Sequence, residues 1–119
     1  MAITSENANY FKSKRFAVRI VRLYQYLTTE KHEYILSKQV LRSGTSIGAN
    51  IMEANHGISR RDFAAKMYIA YKECAETMYW LDLLHETDYI TDRMFQSLYS
   101  DCTELYRILS AVTRTLHAE

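Results

Sequence analysis

Four stretches of this chain repeat apolar residues at alternating spacings of three and four, and no proline interrupts any of them. That spacing holds side chains on one face of an α-helix, so each stretch reads as an amphipathic helix with a single buried stripe. Phe16, Ile20, Leu23 and Leu27 mark a first helix over residues 8–29. A second spans residues 34–55 with Ile47, Ile51 and Ala54 on its apolar stripe, and His56-Gly57 after it offers a left-handed stop. Ser59, with Asp62 three residues on, caps a third helix ending near residue 86, whose seam runs Phe63, Met67, Ala70, Cys74, Thr77, Leu81, Leu84. Thr91 caps a fourth, carrying Met94, Leu98, Cys102, Leu105, Leu109, Val112 and Leu116. The breaks are short, so neighbours in sequence should run antiparallel. The expected fold is all-α, an antiparallel up-down-up-down four-helix bundle.

A length of 119 residues suits a single domain over 1–119, with residues 1–7 expected to be flexible. Cys74 and Cys102 lie among apolar neighbours without C-x-x-C spacing, which predicts two reduced, buried thiols. The first residues lack the charged and apolar regions of a signal peptide, and no apolar run reaches membrane-spanning length. A cytoplasmic protein with no membrane partner is expected.

The second helix carries an unusual polar stripe. Arg42, Ser46, Asn50 and Glu53 follow at helical spacing beside the apolar stripe, which places them at a half-buried boundary where they need hydrogen-bond partners. Arg42 and Asn50 are expected to meet Glu73 and Glu76 of the third helix in a charged network that fixes helix register and subunit packing, or that forms a ligand or RNA site. Ser43, Gly44, Gly48 and Ala49 are small enough to admit a neighbouring backbone.

Catalytic chemistry finds little footing. Glu53 and His56 have the E-x-x-H spacing of ferritin-like iron sites, but such a site needs a second copy and further glutamates, so no metal and no cofactor is expected. There is no Gly-x-Ser-x-Gly elbow and no Cys/His constellation, and Gly44 and Gly48 lack the lysine and the strand of a phosphate loop. The chain reads as a non-enzyme.

Charge is divided along the sequence. Residues 1–61 hold ten Lys/Arg against four Asp/Glu, a net of +6; the remainder holds five against ten, a net of −5. One reading pairs the first helices with the last, within the bundle or between subunits. Another makes Lys12, Lys14, Arg15, Arg19 and Arg22, with Arg60 and Arg61 second, a polyanion-binding face. Tyr68, Tyr71, Tyr79 and Trp80 surround the third helix, more apolar surface than one core can use, which argues for self-association; base stacking is the other use of such rings.

Residues 37–84, with Arg42-Ser43, then Ser46 to Ala54, Ser59 to Phe63 and Ile69 to Glu76, resemble the bacterial four-helix-bundle family encoded by intervening sequences of 23S rRNA genes. One position departs: Ala54 stands where that family usually has glycine. The resemblance implies a ring-like homopentamer without known enzymatic activity. It also implies kinship with accessory proteins of diversity-generating retroelements, which bind a reverse transcriptase and nucleic acid through a basic surface. The expected partners are therefore copies of the chain itself, and RNA or a nucleic-acid-bound protein. The alternative is a structural or protein-interaction module with no direct RNA binding.

Overall fold

The computed structural model describes residues 5–118 as four helices: α1 (Ser5–Thr29), α2 (Leu36–Asn55), α3 (Arg60–Glu86) and α4 (Asp92–Ala118). The flexibility expected of residues 1–7 falls partly on residues outside those described; α1 begins at Ser5. At 1.5 Å per residue the two 27-residue helices are about 40 Å long, which accounts for the 44 Å long axis of the molecule.

Contacts between helices fix the topology as up-down-up-down. Gly44 lies against Ile20 and Gly48 against Ser13, so α1 and α2 are antiparallel. Arg42 reaches Glu76 while Glu53 reaches Lys66, which reverses α3 on α2. Tyr71 meets Tyr106 and Cys74 meets Cys102, reversing α4 on α3. Lys12 pairs with Glu104 and Arg19 with Asp101, closing α4 on α1.

The seams read from the sequence form the core. Phe16, Ile20, Leu23 and Leu27 meet Val40, Ile47 and Ile51, and Met67, Ala70, Cys74, Leu81 and Leu84 meet Leu98, Cys102, Leu105 and Leu109. Two ends of the seams slip: Phe63 is only half-buried, and in the last turns of α4 Thr113 is buried while Val112 and Leu116 are half-buried. Thr113 can enter because its hydroxyl donates to the carbonyl of Leu109, 2.8 Å away. The two thiols are free and buried, with their sulfurs 3.8 Å apart, and the hydrogen bond to Cys74 together with burial pushes the Cys102 thiol up.

Helix ends follow their own chemistry. Ser59 accepts from the Asp62 amide and Thr91 from the Met94 amide, each at 3.1 Å, as the sequence predicts. α2 starts at Leu36, two residues later than expected, because Glu33 caps it from outside. The buried Glu33 carboxylate accepts the amides of Ile35, Leu36 and Ser37 at 3.2, 3.0 and 2.7 Å. Burial pushes its carboxyl up, but these donors outweigh it and hold it below the ordinary carboxylate value.

The left-handed stop expected at His56-Gly57 is absent, since no described glycine has a positive φ. α2 instead tightens: His56 donates to Glu53 and Gly57 to Ala54, each across three residues at 3.1 Å. Gly57 is needed for space, because a Cβ there would stand 3.2 Å from that of Asp62. Left-handed residues follow two other helices: His32 (φ 52°) after α1, where Glu33 donates to the carbonyl of Leu27 at 2.9 Å, and Asp88 (φ 67°) after α3, where Tyr89 donates to the carbonyl of Leu84 at 3.0 Å.

Candidate nucleic-acid interface

From Ala8 to Thr29 the charged residues of the chain are Lys12, Lys14, Arg15, Arg19 and Arg22, and none is acidic. The helix sorts them by angle. Lys12 and Arg19, seven residues apart, turn toward α4. Lys12 Nζ lies 2.9 Å from Glu104 Oε1, while Arg19 Nη1 lies 2.6 Å from Asp101 Oδ2 and its Nη2 donates to Ser97 Oγ at 2.8 Å. Lys14, Arg15 and Arg22 are exposed and pair with no carboxylate among the described residues, although Arg22 donates to Gln25 Oε1 at 3.1 Å.

Arg60 and Arg61 are exposed at the start of α3, with Arg60 already engaged within the chain. Since α1 and α3 run in the same direction, they stand at the end of the bundle where α1 begins, whereas Arg22 lies past the middle of α1 toward the opposite end. The seven cations expected to act together are therefore two outward groups and one pair spent on α4.

Between α1 and α4 runs an open apolar groove of about 360 Å³. Buried Leu23 and Leu98 floor it, half-buried Tyr26 and Met94 and the half-exposed Val18 wall it, and Arg19 and Arg22 stand at its rim. Sequence periodicity did not reveal this groove, because it depends on how far two helices stand apart.

The polar stripe of α2 lands at its boundary with α3, but its members part company. Arg42 crosses at one end of the stripe, with Nη2 3.5 Å from Glu76 Oε2, which also accepts from Trp80 Nε1 at 3.0 Å. Ser46 donates to the Arg42 carbonyl and Asn50 to the Ser46 carbonyl, at 2.6 and 2.8 Å, so both serve their own helix. Glu53 pairs with Lys66 at 3.0 Å, a partner the sequence reading missed. Glu73 keeps one buried oxygen without a partner, and burial, then Glu76, pushes its carboxyl above the ordinary value against the pull of Arg42 and Lys72.

The Arg42 side chain is two-thirds exposed and that of Glu53 more than half, so both inter-helix pairs of this stripe are solvated and each is worth about 1 kcal/mol at most. Ala49 faces outward as well, while Gly44 and Gly48 are the small residues that admit α1. Ser43 meets Thr77 instead, hydroxyl to hydroxyl at 2.9 Å.

Glu53 and His56 do not converge. His56 Nδ1 lies 2.9 Å from the Met52 carbonyl oxygen, and among the described residues no three His, Cys, Asp or Glu side chains gather as metal ligands. No helix is long and apolar enough to cross a membrane.

A family model described as 23S rRNA-intervening sequence protein matches residues 5–111. The chain belongs to this family. A solved member of the S23 ribosomal protein family from Bacteroides thetaiotaomicron, described as a protein of unknown function, is 50% identical; the match covers 93% of this chain and 99% of that one, with a TM-score of 0.90. No curated protein matches. From Ala8 to Thr29, α1 of this 23S rRNA-intervening sequence protein carries cations only, with Lys12 and Arg19 bound to α4 and Lys14, Arg15 and Arg22 exposed.

Proposed function

We propose that this chain is a non-enzymatic, cytoplasmic protein that assembles with copies of itself and presents the outward side chains of α1 to RNA or to an RNA-bearing partner. The observation that carries the proposal is the sorting of α1. Lys12 and Arg19 pair with the α4 carboxylates that face them, so Lys14 and Arg22 project with no carboxylate among the described residues bound to them, and Arg15 stands beside Asp101 and Glu104, which are already paired. Such cations favour phosphates irrespective of base sequence. Arg61 adds an exposed cation at the end of the bundle where α1 starts, beside Arg60, which is already engaged within the chain. The family likeness sets the expected assembly at five copies, and the exposed Tyr68, Ile69 and Tyr79 of α3 supply apolar surface for it.

A second reading has its own support. The Lys12 and Arg19 pairs use part of the charge asymmetry inside the bundle, as a structural or protein-interaction module would. Neutralising Lys14, Arg15 and Arg22 together distinguishes the two. The RNA reading expects weaker binding of all RNA sequences alike and a salt dependence flatter by about 0.7 per lost phosphate contact on a single strand. Unchanged RNA binding, or none by the parent protein, would reject it.

A further inference from the structure

We infer that the groove between α1 and α4 is a slot for an unpaired base, so that the nucleic acid held by this protein is single-stranded. The inference rests on the RNA-binding reading above and adds the strand type and the path of the strand beyond α1.

Three observations combine. The groove is apolar along its floor, with Leu23 and Leu98 buried beneath half-buried Tyr26 and Met94. Single-strand sites pair aromatic faces, on which any base can stack, with cations that follow the backbone, and Tyr26 is the ring this groove offers. Its volume, about 360 Å³, is at the small end of ligand sites, suited to one base and far too narrow for a duplex. Arg22 stands at the rim, held only by the neutral Gln25 and positioned for the phosphate of a base that enters.

Farther along α4, beyond the groove, the surface is cationic too, although the C-terminal half of the chain is acidic overall. Within α4 the acids after Asp92 are Asp101 and Glu104, and both are taken by α1. Arg107 and Arg114, seven residues apart on one face, are exposed and pair with no carboxylate among the described residues. The acids of α4 are thereby paired along the seam and its arginines are left outward, so a strand that leaves the groove along α4 meets Arg107 and then Arg114.

The test is titration of the full chain with a short labelled oligouridylate and with an RNA duplex of equal length, followed by anisotropy. The parent should prefer the single strand. Val18→Glu, at a half-exposed position, should weaken single-strand binding at least about tenfold, and Tyr26→Leu should weaken it several-fold, without altering assembly mass or thermal unfolding. Changing Arg107 and Arg114 to Ala should lower the salt dependence by about 0.7 for each.

Equal affinity for duplex and single strand, with both groove variants binding like the parent while Lys14, Arg15 and Arg22 remain essential, would overturn the slot and leave the RNA-binding reading standing. Failure of the parent to bind either RNA would remove both. A change of assembly mass in Val18→Glu would overturn the slot by making the groove a contact between copies.

Discussion

Arg19 of α1 and Asp101 of α4 lie 2.6 Å apart, nitrogen to oxygen, on the side of the bundle where a groove still opens between the same two helices. The pair joins a basic helix to an acidic region, and it shows that the charge division of the chain has two uses. Lys12 and Arg19 are bound to α4; the other α1 cations are not. Both pairs are two-fifths or more exposed on average, so each contributes about 1 kcal/mol or less. Arg19→Ala should therefore lower unfolding free energy by no more than about 1 kcal/mol in a urea titration. It should leave the phosphate contacts of Lys14, Arg15 and Arg22 in place.

Gly44→Ala should destabilise the bundle. A Cβ at this position would stand 2.8 Å from both Cγ1 and Cγ2 of Ile20, a side chain buried in the core with nowhere to move. Overpacking of this kind costs about 1–3 kcal/mol, set against a helix-propensity gain of about 1 kcal/mol. Gly48→Ala meets only the Ser13 hydroxyl at 3.1 Å and should cost less. Comparing their urea midpoints checks the order.

Glu33→Ala should lower stability by about 1–3 kcal/mol at neutral pH, because three α2 amides lose a charged acceptor. The carboxyl is held below its ordinary value in the fold, so its contribution is present above the unfolded-state pKa and is lost as pH falls through the folded one. Unfolding followed from neutral to acid pH should show the parent and variant converging.

Glu73→Gln should act in the opposite sense. Burial and Glu76 raise this carboxyl, so the folded state holds its proton more tightly than the unfolded chain does. Its charge opposes folding at neutral pH, and that opposition fades as pH falls through the raised value. The variant should be more stable than the parent near neutrality, with the advantage shrinking toward acid. A thermal melt at two pH values checks it.

These residues also show which parts of the molecule were legible in the sequence. The core seams and the Ser59 and Thr91 caps were, since each depends on spacing within one helix. Glu33 capping α2 was not: the residue at the cap position is Ile35, and the acceptor lies outside the helix. The polar stripe of α2 was placed correctly at the α3 boundary, yet Ser46 and Asn50 bond their own backbone. Periodicity says which way a side chain leaves its helix, and gives no means of choosing between a neighbouring carboxylate and a carbonyl four residues back. For the same reason the cations of α1 were legible as a group, but their division into Lys12 and Arg19 against Lys14, Arg15 and Arg22 required the position of α4.

The measurement that bears most directly on the central claim is light-scattering mass coupled to size exclusion, with absorbance at two wavelengths, on protein purified at low salt without nuclease. The account predicts a particle of several copies that carries nucleic acid, releases it as salt rises and keeps its mass. A particle free of nucleic acid whose mass falls with rising salt would contradict it, because the exposed cations would then be serving contacts between subunits.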